Sequence, residues 1–169
     1  MLFRSREVEM TTEQKNAYKD MLDKLLAEYD GGQVLAVNEA VKANKLVQIA
    51  CGVDYGNNGE HITIPSQPRV DVLREIIEES EGKVLVFVPL TGVLEHLVSE
   101  LSKEWDVAGI HGGTSKAERD QIFVTFQNTP AIRVIVANPA TMSHGLTLTA
   151  ATTIVWYAPI HSKIGRAHV

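Results

Sequence analysis

The stretch of this chain best equipped for chemistry is Ala137 to Ala151, ANPATMSHGLTLTAA. An apolar run, Arg133 to Ala137, leads into a loop of small, hydroxylic and turn-forming residues, and a second apolar run, Thr153 to Pro159, follows it. Short continuous apolar runs are the pattern of buried parallel strands. Ligands of open α/β sheets sit just beyond the carboxyl ends of such strands. Asn138, Pro139, Thr141, Ser143, His144 and Gly145 would occupy that place. Gly145 lacks a Cβ, so its backbone can approach a phosphate or a base closely. The hydroxyls around it add donors without bulk, which suits a polyanion. An ordinary strand-to-helix loop has the same composition, and spacing alone leaves both readings open.

The elements needed to position this loop are legible around it. Val84 to Val88 reads as a buried strand, Thr91 to Trp105 as a helix, and Val107 to Ile110 as a short strand. His111-Gly112-Gly113-Thr114 then leads into a capping box, Ser115 to Glu118, and a helix carrying Ile122, Phe123 and Phe126. Strands alternating with helices predict a parallel sheet with right-handed crossovers over Lys83 to about Pro159. Before it, Thr11 and Gln14 have capping-box spacing and open an amphipathic helix that should stop at Asp30-Gly31-Gly32. A second helix is expected from about Asn38 to Ala50. A small hairpin is expected from Val53-Asp54-Tyr55 and His61 to Ile64 around Gly56-Asn57-Asn58-Gly59. Ser66 and Pro68 then open a helix with Val70, Leu73, Ile76 and Ile77 on its buried stripe.

The chain has 169 residues, enough for one domain with a real core and a small appendage. No apolar run approaches transmembrane length. The single cysteine, Cys51, permits no internal disulfide and fits a reducing cytoplasm. Metal coordination is not expected from one cysteine and scattered histidines. A net charge of −5 argues against a broadly basic nucleic-acid-binding face. Contact with a polyanion would therefore rely on backbone N–H groups, hydroxyls and a few local cations.

Three segments, in this order, resemble the second RecA-like lobe of superfamily-2 helicases and translocases, with remodeller-type (Swi/Snf-like) and related phage enzymes closest. KVLVFVPLTGVLEHL (Lys83 to Leu97) resembles the family's motif IV. GIHGGTSKAERDQIFVTFQ (Gly109 to Gln127) resembles the next motif, and the central stretch resembles motif V. KLVQIACG (Lys45 to Gly52) resembles the helix that precedes the lobe in remodeller-type chains. Thr147 stands where such chains usually carry asparagine, and Tyr157 where an acidic residue is usual.

The resemblance implies an α/β fold: a RecA-like parallel sheet flanked by helices over residues 83–163, after a helical lead-in with a hairpin over 6–82. It implies that Ser143, His144, Gly145 and Thr147 border the nucleotide. Thr91, His111, Gly112, Ser115, Asn138 and Thr141 would then face nucleic acid, DNA rather than RNA, at loop-helix junctions where free N–H groups can hold a phosphate. Arg119, although cationic, falls inside a helix and is read as an intradomain salt-bridge or packing residue. His111 has a competing reading as a capping residue, and Trp156 and Tyr157 are read as core.

ATP hydrolysis in this family requires a P-loop lysine, an acidic magnesium site and an arginine finger. No G-x-x-x-x-G-K-[ST] occurs in the chain, and Gly165-Arg166-Ala167-His168 mimics the start of the finger motif by letters only. ATP and magnesium are therefore expected of an intact parent with a first RecA-like lobe, and the chain alone is expected to be inactive. Ile164 to Val169 is what ATCGGAAGAGCACACGTC encodes, a common sequencing-adapter text, and Leu2 to Ser5 is what the same adapter encodes on the opposite strand. Residues 1–5 and 164–169 are accordingly read as adapter-derived, and the native part as about Arg6 to Lys163. The rival reading is a standalone, non-catalytic α/β module that binds a phosphorylated ligand or a partner.

Overall fold

The computed structural model describes residues 4–30, 36–55, 61–142 and 148–158. By its internal packing the chain divides into two units, Met1–Leu73 and Arg74–Val169, the division falling within a helix.

In the first unit, Thr11 and Gln14 form the reciprocal cap their spacing predicts. The Gln14 backbone N–H donates to Thr11 Oγ1 at 3.2 Å, and the Thr11 N–H donates to Gln14 Oε1 at 3.1 Å. Helix α1 (Thr12–Asp30) starts there and ends at the predicted aspartate, while α2 covers Ala36–Ala50. Gln14 has a second role that its spacing did not reveal. Its side chain is 2% exposed, and its Nε2 donates to the carbonyls of Ile49 and Ala50, the last residues of α2. Carbonyls at a helix end have no partner within the helix, so a buried glutamine ties the two helices together. Gly52 then reverses the chain with φ +89. Strands β1 (Val53–Tyr55) and β2 (His61–Thr63) pair antiparallel, as expected for the hairpin. The Gly56-Asn57-Asn58-Gly59 turn lies outside the described residues.

Helix α3 (Gln67–Glu79) crosses the division and leads to the second unit: β3 (Lys83–Phe87), α4 (Thr91–Leu101), β4 (Val107–Ile110), α5 (Lys116–Asn128), β5 (Val134–Ala137) and β6 (Ala151–Trp156). Helix α4 stops four residues short of Trp105, because the chain leaves helical geometry after the Ser102 cap. Strand β6 begins two residues before the predicted Thr153.

All four strands are parallel, in the order β4-β5-β3-β6. The predicted α/β layering follows from alternation along the strands. Leu85 and Ile135 point to the side where α5 inserts Phe123 and Phe126. Val84, Val86, Val134 and Val136 lie on the other face and are fully buried. On that face Gly109 lets α4 sit close, since a Cβ there would lie 3.0 Å from Val98 Cγ2. Apolar side chains on both faces of β3 and β5 explain why those strands read as continuous runs.

At the amino-terminal edge of the sheet, Arg133 donates to the carbonyls of Ile77, Ser80 and Gly82 and so closes the end of α3. Lys83 Nζ donates to the carbonyls of Phe126 and Thr129 at the end of α5. Both cations neutralise helix C-termini, where the backbone dipole favours positive charge.

Candidate functional site

Strand register decides where the loops gather. Phe87 pairs with Ala137, and Ala137 with Ile110, so β3, β5 and β4 end at the same height and run in the same direction. The chain segments that follow them, Val88–Leu90, His111–Ser115 and Asn138–Met142, therefore leave from one rim. Thr91, His111, Gly112, Ser115, Asn138 and Thr141 all lie on these segments or at the helix starts they feed. Ser143, His144, Gly145 and Thr147 lie outside the described residues.

Thr91 is the first residue of α4, and the residue before it, Leu90, contributes no side-chain cap. Ser115 caps α5, accepting from the Glu118 N–H at 3.2 Å. Between β4 and α5 the chain makes a tight turn. The Thr114 N–H donates to the His111 carbonyl at 3.0 Å, and the His111 N–H donates to Thr114 Oγ1 at 3.0 Å. The Gly113 N–H donates to His111 Nδ1, also at 3.0 Å. With Nδ1 accepting from a backbone N–H, Nε2 is the ring nitrogen left to donate outward. His111 thus has a local turn role of the kind considered for it.

The two glycines beside it differ. A Cβ on Gly113 would come 2.9 Å from His111 Cε1, whereas a Cβ on Gly112 would meet nothing within 4 Å. A side chain at 113 would displace the His111 ring, and one at 112 would displace nothing.

After β5, Asn138 starts a 3-10 turn, Pro139–Met142. The Thr141 N–H and Oγ1 both donate to the Asn138 carbonyl, at 2.9 and 2.7 Å, and the Ala140 N–H donates to Asn138 Oδ1 at 3.0 Å. Arg119 Nη1 donates to the Thr141 carbonyl at 3.4 Å. Arg119 thus bonds within the lobe, as its helical position suggested, but to a backbone carbonyl where a salt bridge or packing was expected.

Trp156 requires a correction. It was expected in the core and is 41% exposed, because β6 is an edge strand and α5 packs over its neighbours. Its ring lies against Phe87 with centroids 4.7 Å apart. Tyr157, one residue on, is 4% exposed, as expected. Cys51 is buried, and burial pushes its thiol above the ordinary pKa range. Among the described residues, no group of three His, Cys, Asp or Glu side chains could hold a metal ion, and no helix is long and apolar enough to cross a membrane.

A parallel sheet layered between helices, with its loops collected beyond the carboxyl ends of the strands, defines an α/β lobe of the kind whose ligands lie along that rim. The chain belongs to the helicase conserved C-terminal domain family, which matches it over residues 68–168. That match runs through Gly165 to His168.

Among solved structures it resembles the SWI2/SNF2 ATPase C-terminal domain of Sulfolobus solfataricus. The TM-score is 0.74 at 25% identity, covering 89% of this chain and 68% of that one. The core of the same organism's SWI2/SNF2 ATPase, in complex with dsDNA, shares the fold with a TM-score of 0.73 at 24% identity, covering 89% of this chain and 33% of that one. Putative protein p41 of Acyrthosiphon pisum secondary endosymbiont phage 1 is 28% identical over 142 residues. This chain is covered to 83% in that comparison and spans 29% of p41's length. The second unit is thus a second RecA-like lobe of the superfamily-2, Swi/Snf-like type, as the three ordered motifs implied.

Proposed function

We propose that this chain is part of an ATP-dependent DNA translocase or helicase and supplies the second lobe's half of its ATP and nucleic-acid cleft. The observation that carries this reading is the level ending of β3, β5 and β4, which puts three donor-bearing loops on one rim. In the proposed role, Thr91 Oγ1, the Nε2–H of His111 and the first-turn N–H groups of α5 hold backbone phosphates of one DNA strand. Uncharged donors and a helix N-terminus suit this task in a chain of net charge −5. Gly112 leaves room for the phosphate to approach the backbone. Ser143, His144, Gly145 and Thr147, which follow the 3-10 turn in sequence, would border ATP and Mg²⁺ in the intact parent. Bound ATP would supply the free energy for closing the two lobes. The chain's own contribution is to hold the DNA backbone and to keep its loops in fixed register.

The P-loop and the acidic magnesium motif would come from a first lobe, so the chain alone should not turn over ATP. Anisotropy of a short fluorescein-labelled duplex titrated with the chain tests the DNA half of this reading. Binding that weakens with salt and drops in Thr91→Ala and His111→Ala is expected. Unchanged binding in both variants, or ATP hydrolysis by the cleanly purified chain, would overturn it. The genomic locus separates the translocase from a standalone phosphate-binding module. A P-loop and acidic motif in frame before Arg6 support the former, and a native start codon there supports the latter.

A further inference from the structure

We infer that Asn138 is a positioning residue whose side chain locks the loop after β3 to the 3-10 turn after β5, and that it is not itself a contact for nucleic acid. The inference rests on the cleft reading above and revises the role the sequence suggested for this residue. Asn138 bonds to the loop after β3, to the end of β4 and within its own turn. Its backbone N–H donates to the carbonyl of Ile110, the last residue of β4, at 2.8 Å. Its Nδ2 donates to the carbonyl of Pro89, in the loop between β3 and α4, at 3.3 Å. Its Oδ1 and its own carbonyl accept from Ala140 and Thr141, which fixes the 3-10 turn.

The side chain is half-buried, and both ends of its amide have partners inside the lobe. The Pro89 bond spans 49 residues of sequence and fixes the plane of the peptide that carries the Leu90 N–H, directly before Thr91. Movement of one loop is therefore passed to the next through a single amide. Serine could still accept from the Ala140 N–H as a short turn-forming residue, but it is too short to reach Pro89. Alanine makes neither bond. The two substitutions thus separate the turn from the cross-loop tie.

The test uses the full chain, labelled with ¹⁵N and ¹³C, as wild type, Asn138→Ser and Asn138→Ala. In Asn138→Ser the Pro89 carbonyl carbon and the Leu90 and Thr91 amides should shift while Ala140 keeps its protection from hydrogen exchange. In Asn138→Ala that protection should be lost as well. On titration with duplex DNA, the Thr91 and Thr141 amides of the wild type should move together. In Asn138→Ser, Thr141 should no longer follow Thr91, with affinity down about fivefold, the worth of one ordinary hydrogen bond. If affinity falls while the Pro89, Leu90 and Thr91 signals stay in place, Asn138 touches the ligand itself and the inference is wrong. Signals that stay in place without any loss of affinity overturn it too. Wild-type chain that binds no duplex removes the cleft reading, and the carbonyl and exchange signals then judge the locking role by themselves.

Discussion

Gly112 separates ligand recognition from folding more cleanly than any other position on the rim. Its φ is not positive, Gly52 being the one described glycine that is, and a Cβ added at Gly112 meets no atom within 4 Å. Gly112→Ala should therefore leave the fold intact. By narrowing the unfolded ensemble it should even add about 0.4–1 kcal/mol of stability, read as a small rise in urea midpoint. If a phosphate sits against this backbone, the new methyl group occupies its place. Losing a hydrogen bond to a charged group costs about 1.5–3 kcal/mol, or roughly a ten- to hundredfold weaker duplex affinity at 1.4 kcal/mol per decade. Gly113→Ala is the contrasting variant. Its Cβ would press on His111 Cε1 at 2.9 Å and on Nδ1 at 3.1 Å, so it should lower stability and binding together. The measurement is fluorescence anisotropy beside urea unfolding for each variant. Wild-type affinity in a stably folded Gly112→Ala protein would refute phosphate approach at this turn.

Other substitutions test the frame that holds the rim. Arg133→Lys keeps the charge but loses the planar fork that reaches Ile77, Ser80 and Gly82, and should cost about 1–3 kcal/mol in urea unfolding. Gly52→Ala places a side chain at φ +89 and into Ser66 Oγ, and should lower the midpoint by the equivalent of about 1–3 kcal/mol. Burial holds the His96 imidazole below its ordinary pKa of 6.5, against an opposing pull from Glu100. The unfolded chain thus binds the proton first, and stability should fall as pH drops below 6.5 and level off beneath the folded pKa. Urea midpoints from pH 7.5 to 5 should show this slope in the wild type and a flatter one in His96→Gln. Glu100 is also held low, chiefly by its hydrogen bond with Lys103, and its contribution is lost only at more acid pH, below about 4.5.

Most of the second unit could be read from its sequence because its determinants are local. Apolar runs in β3 and β5, the Ser115 cap, and the alternation of strand and helix each follow from residues a few positions apart. What could not be read depends on strand order. Nothing in ATTIVW says that β6 lies at the sheet edge, so Trp156 looked like core and is 41% exposed. The long-range polar ties were equally hidden. Gln14 reads as a capping residue, and its reach to the end of α2 requires knowing that the two helices meet. Arg133 reads as the start of a strand, yet it closes the end of α3 more than fifty residues earlier in the chain. Asn138 was picked out for its polar chemistry at a loop start. The sequence suggested a nucleic-acid contact, whereas its side chain reaches Pro89 and its backbone N–H reaches Ile110, neighbours only once β5 lies between β3 and β4.

The charge of the chain limits how its rim can work. Sequence-independent DNA affinity comes mainly from cations that displace counterions, and each phosphate so neutralised steepens the dependence of log K on log salt by about 0.9. On the described rim the candidate donors are hydroxyls, an imidazole N–H and backbone N–H groups. Lys116, exposed at the start of α5, is the cation nearest them in sequence and could neutralise one phosphate, whereas Arg119 is turned to the Thr141 carbonyl. A lobe of this kind should bind duplex with a salt slope of only about one or two, shallow beside that of proteins making many lysine and arginine contacts. Geometry would then set its affinity, which makes the locking of the loops matter more than it would on a basic surface. Anisotropy titrations at stepped salt concentrations measure the slope directly. A value of five or more would mean that cations elsewhere on the chain carry the binding, and the rim would lose its claim to the site.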